Sequence, residues 1–490
     1  MNITLADLIP LLPLLISTGT AVVAMTVIGL KRSYALTAGI IVGGLLLATL
    51  SAAYLMPTTN AQVTPLMIVD QYSLFFTVVI CITAIFIAIF SFPYLENLDD
   101  NKEEYYLLLG IATIGAIVMV SSNHFVSTIL GLETLSMSLY GMVAYPVHSH
   151  KSAKFPLEAS VKYLVLSAAA SGILLFGIAL IYAQTGTLEF ASVTNVDTDT
   201  PGIGAEFSIA ALILVFIGVA FKLSLAPFHM WTPDVYEGSP LPATTYLATI
   251  GKAAMFVVLL RFIEVSDALS FSSIILVITL VAIASILVGN LLALLQDNLK
   301  RILAYSSIAH MGYLLIALVA SYFAQGSISI EAITFYLVAY VIMSAGAFGV
   351  VSVVSSSEQE LDNIDDYEGL FWRSPWLAAV FTGMLLSLAG IPLTVGFIGK
   401  FYIFFSGVEA ALWTLLAVLV IGSGIGLYYY LRIVYRMLLA VDDEHELSIE
   451  ISKKLSSYAV LAVLFLLMIF LGVYPTPVIG LIETISTHIL

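Results

Sequence analysis

Long apolar runs recur so densely along this chain that they leave room for little else. Fourteen of them fall near residues 7–29, 34–55, 73–94, 105–121, 124–145, 158–183, 208–231, 241–263, 272–294, 301–320, 328–354, 376–405, 410–438 and 455–474. A helix that crosses a bilayer needs about 20 apolar residues. Backbone groups in lipid must be satisfied within the segment, so runs of this kind form helices. The expected fold class is all-α, a polytopic membrane protein of about 14 transmembrane helices. Only 10% of residues are charged and 60% are hydrophobic, whereas about 25% are charged in a soluble domain. This excludes a soluble globular enzyme, a nucleic-acid binder and a disordered chain. The lipid bilayer is a partner and nucleic acid is not. The first run is expected to be a span and not a cleaved signal, because no basic segment precedes it and it is long.

The lone cysteine, Cys81, makes no intrachain disulfide, four-cysteine zinc site or iron–sulfur cluster. No Walker motif occurs and no GxGxxG follows a strand. Gly422, Gly424 and Gly426 lie inside an apolar run, where close helix packing accounts for them. The chain is therefore expected to bind no metal, nucleotide or redox cofactor itself.

Lysine and arginine set the sidedness. Lys31 and Arg32 follow the first run, Lys102 the third, Lys151 and Lys154 the fifth, Lys300 and Arg301 the ninth, and Arg373 the eleventh. Arg432, Arg436, Lys453 and Lys454 flank the loop after the thirteenth. With fourteen spans all of these share one side. The opposite loops, 56–72, 184–207, 264–271, 321–327 and 475–490, hold no lysine or arginine, and Arg261 lies just inside that side. The cytoplasmic side is the basic one, so both termini are expected outside. The loops 355–375 and 440–453 are acidic on the inner side and read as plain loops or as docking surfaces. Residues 186–206 form a long outer insertion.

Some charges remain within the runs: Glu133, Lys162, Lys222, Lys252 and Lys400. Each costs about 2.5–3.5 kcal/mol at the bilayer centre, so five unpaired groups cost on the order of 10 kcal/mol. Lys162 is about one turn from the end of its run and can snorkel. A structural ion pair between Glu133 and one lysine would account for two of the five. Two of the lysines lie beside helix breakers. Lys222 precedes Leu223-Ser224-Leu225-Ala226-Pro227, and Lys400 follows Gly390-Ile391-Pro392-Leu393-Thr394-Val395-Gly396-Phe397-Ile398-Gly399. Proline removes a helix hydrogen bond and clashes with the preceding turn. Broken helices at membrane depth survive only inside protein or beside a hydrated cavity. Breaks in the seventh and twelfth runs, five apart, suggest repeated halves with ion sites at the breaks. Lysine suits proton transfer there, because burial disfavours the charged amine and a nearby carboxylate restores it. His229 and His310 are candidate relays, and Tyr305, Ser306 and Ser307 are candidates to hold waters. Structural roles are the alternative for each of them.

The stretches Phe221-Lys222-Leu223-Ser224-Leu225-Ala226-Pro227-Phe228-His229-Met230-Trp231-Thr232-Pro233-Asp234 and Gln296-Asp297-Asn298-Leu299-Lys300-Arg301-Ile302-Leu303-Ala304-Tyr305-Ser306-Ser307, with the surroundings of Glu133, resemble one family. It comprises the antiporter-like, proton-pumping membrane subunits of NADH:quinone oxidoreductase (respiratory complex I) and the related subunits of Mrp-type cation/proton antiporters. The resemblance is closest to the bacterial N-type subunits. It implies two inverted five-helix repeats with broken helices 7 and 12. The chain then divides into helices 1–3 (1–104), a first repeat (105–264), a second (265–440), and helix 14 with the C-terminus (441–490). It implies a Glu133–Lys222 ion pair, Lys252 on a hydrated axis and Lys400 as the exit-side proton carrier. Lys162 and Lys300 match lysines of the sixth and tenth helices. A lysine at position 400 favours the N or L type over M, and a chain stopping after span fourteen favours N over L.

The resemblance implies a translocase subunit of the cell inner membrane, driven by quinone reduction elsewhere in the electron transport chain. NADH, FMN, iron–sulfur clusters and quinone would belong to the other membrane-arm and peripheral-arm subunits or their interfaces. Loosening the Glu133–Lys222 pair would send a proton through Lys252 towards Lys400. An Mrp-type antiporter subunit is the alternative, although a lysine-rich axis repels Na+, which prefers oxygen ligands. A passive scaffold would need none of the deep lysines, and a plastid or cyanobacterial homologue would take electrons from ferredoxin.

Overall fold

A computed structural model of the protein describes residues 8–96, 98, 101–145, 154–193, 205–324, 328–356, 360–440 and 454–486. Lys151, Lys453, the acidic segment 441–453 and most of the 186–206 insertion lie outside these residues. In chain order the helices begin with α1 (Leu12–Leu30), α2 (Tyr34–Leu55), α3 (Gln71–Leu95), α4 (Glu103–Val120), α5 (Phe125–Val143) and α6 (Lys154–Thr185). The seventh span is α7 (Ala205–Lys222) and α8 (Trp231–Gly238), and the eighth is α9 (Leu241–Tyr246) and α10 (Lys252–Ser266). Then come α11 (Ser272–Leu294), α12 (Leu299–Phe323), α13 (Ile328–Val354) and a short α14 (Leu370–Arg373). The twelfth span is α15 (Pro375–Ala389) and α16 (Val395–Glu409), followed by α17 (Trp413–Leu438), α18 (Leu455–Val473) and α19 (Thr476–Ser486). Among the described residues, 12 helices are long and apolar enough to cross a membrane, the eighth span counting as one. The two interrupted spans bring the number to the fourteen expected.

Local chemistry starts these helices where the chain needs them. Asp70 accepts a hydrogen bond from the Ser73 amide (2.7 Å), and Ser73 Oγ accepts one from the Asp70 amide (3.0 Å), a capping box that opens α3. His124 Nδ1 accepts from the Val126 amide (3.1 Å) and Asn298 Oδ1 from the Arg301 amide (3.0 Å) at the starts of α5 and α12. The α4–α5 hairpin, separated in sequence only by Ser121-Ser122-Asn123-His124, closes backbone to backbone. A Cβ on Gly115 would lie 2.7 Å from the Gly131 carbonyl oxygen. That contact fixes the height of Glu133 two residues on.

α12 and α13 are buried over most of their length, and α9–α10 likewise. They form the centre of the molecule. The rim is apolar on its outward face: Val22, Met25, Leu47, Val165, Phe176 and Leu466 are exposed. An apolar rim around an apolar core is what lipid requires, and it confirms the polytopic reading.

The connections gather at two ends, as alternation requires. At the end poor in basic residues, the Ile68 amide donates to the Ser121 carbonyl (2.9 Å), and the Phe125 amide to the Leu188 carbonyl (3.0 Å). Arg261, buried there, grips Asp70 through both terminal guanidinium nitrogens (2.7 and 2.9 Å). At the other end Arg32 pairs with Glu104 (2.8 Å), Lys454 with Glu96, and Arg436 with Asp365 (3.4 Å). Two of the stretches read as loops without lysine or arginine carry structure of their own. Residues 56–72 include a hairpin, β1 (Ala61–Thr64) against β2 (Met67–Val69), with Ala61 opposite Val69. Residues 475–490 include α19, whose Ile482 and Ile485 are buried while Val478 and Ile479 pack against the core. Its eleven residues are too few for a span, so a search for long runs passes over it.

Candidate functional site

α7 ends at Lys222, where the breaker sequence stops it. Ser224 takes a left-handed φ of 61°, and the freed Ala226 amide donates to Ser285 Oγ on α11 (2.9 Å). The Trp231 indole donates to the Phe221 carbonyl (3.0 Å) and staples α8 back onto α7. Lys222 thus sits at the negative end of a half-helix, a favourable place for a cation. Its ammonium donates to Ser136 Oγ on α5 (2.9 Å) and Ser167 Oγ on α6 (2.6 Å). Glu133 does not touch it. The Glu133 carboxylate accepts from Ser171 on α6 (2.7 Å). Among the described residues no Glu133–Lys222 salt bridge forms. The expected ion pair is therefore separated by hydroxyls one helical turn away on each helix: Ser136 follows Glu133 by three residues, and Ser167 precedes Ser171 by four. Glu133 is half-buried, on a face of α5 that also exposes Leu130 and Met137.

The eighth span carries a feature with no marker in its sequence. Between α9 and α10 the chain widens into a π-turn, Leu247–Gly251, and Lys252 is the next residue. Such turns leave carbonyls free of the regular helix ladder. The Ala248 carbonyl accepts from the Tyr340 hydroxyl (2.8 Å). Lys252 Nζ donates to Ser307 Oγ (2.5 Å), and Ser307 Oγ is 2.5 Å from Tyr340 Oη. Lys252 is fully buried with the Tyr236 ring 5.8 Å away. His310, one turn beyond Ser307 on α12, is also buried.

The twelfth span breaks between Ala389 and Val395. Gly390 has φ +89°, and a Cβ there would lie 2.9 Å from Lys400 Cδ. Gly390 therefore both turns the chain and lets the lysine pass. Lys400 emerges from the second half-helix and reaches back to the end of the first. Its ammonium donates to the carbonyls of Leu388 (2.9 Å) and Ala389 (2.8 Å) and to Ser423 Oγ (3.1 Å). It caps orphan carbonyls of α15.

The remaining candidates divide. Lys300 is 0% exposed and donates to the carbonyls of Glu237 and Ser239 (3.0 Å each) and to Glu360. It ties α12 to the end of α8 and to the connection after α13. That connection is thus more than a solvated loop, since Glu360 also accepts from Tyr94 and from the Leu241 amide (3.1 Å). Lys162 is 43% exposed and pairs with Glu158 (3.0 Å) and Asp234 (3.1 Å) at the basic end. His229 is buried in the seventh break beside Tyr305, ring centroids 6.4 Å apart. Neither of its ring nitrogens meets hydrogen-bond geometry with a described residue. Gly422 packs where expected, a Cβ there meeting Ile286 at 2.5 Å, whereas Gly424 faces open space.

Lys222, Lys252 and Lys400 are all buried, and none has a carboxylate within 4.0 Å among the described residues. All three amines are held by neutral oxygens, two of them at helix breaks and one after a π-turn. Residues 122–426 match the family described as NADH:quinone oxidoreductase/Mrp antiporter, TM. The chain belongs to this family. It is similar to a chain of respiratory complex I from Thermus thermophilus, solved with bound aureothin. The identity is 30% over 96% of this chain and 98% of that one, with a TM-score of 0.80. Its fold is shared with a chain of the membrane-bound sulfane sulfur reductase, an archaeal respiratory membrane complex. That match has 24% identity, 98% and 97% coverage and a TM-score of 0.86. It is also shared with a chain of the Mrp complex from Dietzia sp. DQ12-45-1b, at 20% identity, 99% and 98% coverage and a TM-score of 0.85. The protein is an antiporter-like membrane subunit of a kind that complex I, Mrp and related complexes share, so partner subunits are expected. Ser136, Ser167 and Ser423, which hold lysines, and Tyr340, which bonds Ser307, carry no mark in the sequence that separates them from other polar residues of the spans, and Glu360 carries none that separates it from the other acids of its connection.

Proposed function

We propose that the chain is a proton-translocating membrane-arm subunit of an NADH:quinone oxidoreductase, of the bacterial N type. The observation that carries this reading is the row of three buried lysines, Lys222, Lys252 and Lys400, held by hydroxyls and carbonyls at the interrupted helices. The 30% identity with the complex I chain supports that complex over the others. Lysine at all three places favours H+ over Na+. The two repeats, 105–264 and 265–440, each contribute one broken helix. The basic end faces the cytoplasm of a bacterial inner membrane and both termini face the periplasm. NADH, FMN, iron–sulfur clusters and quinone belong to the other subunits.

Glu133 governs Lys222. A shift of α5 against α6 that releases Glu133 from Ser171 brings its carboxylate towards Ser136 and Ser167, and so towards the ammonium. With the carboxylate near, the lysine keeps its proton. With it away, the proton passes to Lys252 and onward to Lys400. His310 and Tyr305 lie along the buried stretch, His229 beside the first break, and Lys300 and Lys162 towards the basic end.

The test is a mild-detergent extract of native membranes run on a native gel, stained for NADH–tetrazolium activity and probed for this chain. Migration in a large NADH-oxidising band is the expected result. Migration in a smaller assembly without that activity overturns the NADH enzyme and directs the next assay to cation/proton exchange. Within the assembled complex, Lys222→Ala should lower proton translocation and coupled NADH oxidation several-fold. Normal pumping in an assembled variant would count against the path.

A further inference from the structure

The buried stretch between Lys252 and Lys400 holds His310, and both of its ring nitrogens are engaged by phenols from different helices. Nδ1 lies 2.6 Å from Tyr336 Oη on α13, and Nε2 lies 3.3 Å from Tyr430 Oη on α17. Tyr430 Oη in turn bonds Ser306 Oγ. The Tyr340 ring stands 5.6 Å from the imidazole, and through Tyr340 and Ser307 the cluster borders Lys252. On the other side Tyr336 packs against the helix that carries Lys400, since a Cβ on Gly399 would meet its ring at 2.6 Å. Lys400 Nζ lies 5.2 Å from the centre of the Tyr313 ring, which itself stands 5.7 Å from His310.

A neutral imidazole has one N–H and one bare nitrogen. Where both nitrogens face phenols, one phenol must donate to the ring and the other must accept from it. The two hydroxyls are therefore locked in opposite senses, and the imidazole tautomer decides which sense. The branch through Tyr340 differs. There each donor points away from Lys252 and the series ends on the Ala248 carbonyl, which has no proton to give. That series holds Lys252 in place, whereas Tyr430, His310 and Tyr336 form a separate hydrogen-bonded series with an exchangeable proton at every member.

We propose that Tyr336 and Tyr430 are proton-relay residues which, with His310 between them, carry protons across the stretch separating Lys252 from Lys400. This rests on the proton-translocating reading above. A proton arriving at Tyr430 Oη releases the hydroxyl's own proton to His310 Nε2, giving an imidazolium. The imidazolium passes its Nδ1 proton to Tyr336 Oη, whose own proton leaves towards Lys400. One proton enters and one leaves, all three groups end neutral, and both hydroxyls and the tautomer are reversed. Rotation of the two hydroxyls and exchange of the tautomer reset the relay.

The test uses Tyr336→Phe and Tyr430→Phe in the assembled complex, each removing one oxygen from a buried ring. Tyr72→Phe is the control: that tyrosine is equally buried and bonded to Thr334 (3.1 Å), but lies outside the relay. Proton translocation into vesicles and its solvent deuterium isotope effect are read together. Each relay variant should lose translocation by about a hundredfold or more, the range of a positioned proton-transfer group, while Tyr72→Phe keeps it. Wild-type rate and isotope effect in both relay variants overturn the relay. Lys252→Ala and Lys400→Ala are run beside them. If those assembled variants pump normally, the proton-path reading itself fails. If they lose pumping while the tyrosine variants keep it, only the relay fails. Should a phenylalanine variant not assemble, 3-fluorotyrosine placed at 336 and 430 keeps the hydroxyl and makes it more acidic. The pH profile of translocation should then move, and an unmoved profile overturns the relay. A purely structural tyrosine would leave that profile where it is.

Discussion

Lys222 shows what a single side chain needs at membrane depth. An isolated charge there costs about 2.5–3.5 kcal/mol on insertion scales, and here two serine hydroxyls and a half-helix end offset part of that cost. The lysine was visible in the sequence because a charge inside an apolar run stands out. Its partners were not, because Ser136 and Ser167 lie 86 and 55 residues away in sequence and serine is unremarkable in a membrane helix. Glu133 was equally visible, yet its direct partner is Ser171. A carboxylate that acts by approaching Lys222 must keep its charge more than its exact length. Glu133→Ala is expected to lower proton translocation several-fold, in the same direction as Lys222→Ala, and Glu133→Asp to retain most of it. Equal loss in both variants, read as vesicle acidification at matched assembly, would rule out the charge-based role.

At the scale of elements, the two breaks were legible because proline and glycine announce them, and the end of α7 at Lys222 falls where Pro227 requires. The π-turn before Lys252 was not legible. Its five residues, Leu-Ala-Thr-Ile-Gly, suit an ordinary helix, and the turn is held by the Tyr340 hydroxyl bond to Ala248, a tertiary contact. The twelfth break depends on Gly390 for two separate reasons, the left-handed φ and the passage of Lys400. Gly390→Ala meets both. The backbone term alone costs about 1–2 kcal/mol, and the added methyl pushes the lysine from the carbonyls it caps. The variant should melt at a lower temperature in detergent and lose proton translocation. Gly424→Ala, placed where nothing lies within 4 Å, should change neither. Equal melting temperatures for the two variants would show that the break does not depend on Gly390.

The whole molecule is tied together most heavily at its basic end. The positive residues there were legible as a sidedness signal, but the acidic residues facing them were not legible as partners, since only the fold brings the connection after α13 beneath α8 and α12. Lys300 is the post of that arrangement. Lys300→Met would strand Glu360, Asp362 and two carbonyls, and breaking a buried pair from one side costs about 3–5 kcal/mol. Lys300→Met combined with Glu360→Gln should recover part of the loss, measured as the fraction of chain assembled on a native gel. Asp362 reports the same network through pH. It lies 3.6 Å from Lys300, and its carboxyl is pushed up to about 6, by burial above all, with Lys300 opposing the rise and Glu360 adding to it. An acid whose native value lies above its unfolded value holds its proton more firmly in the folded chain. Folding stability from this group therefore falls as pH rises from the ordinary aspartate range through about 6, and the stabilising form is the protonated one. Asp362→Asn keeps the shape and removes the titration. Its melting temperature should lie at or above that of the unaltered protein at neutral pH and should vary less across this window. A variant with the same slope as the unaltered protein would place the pH dependence elsewhere in the molecule.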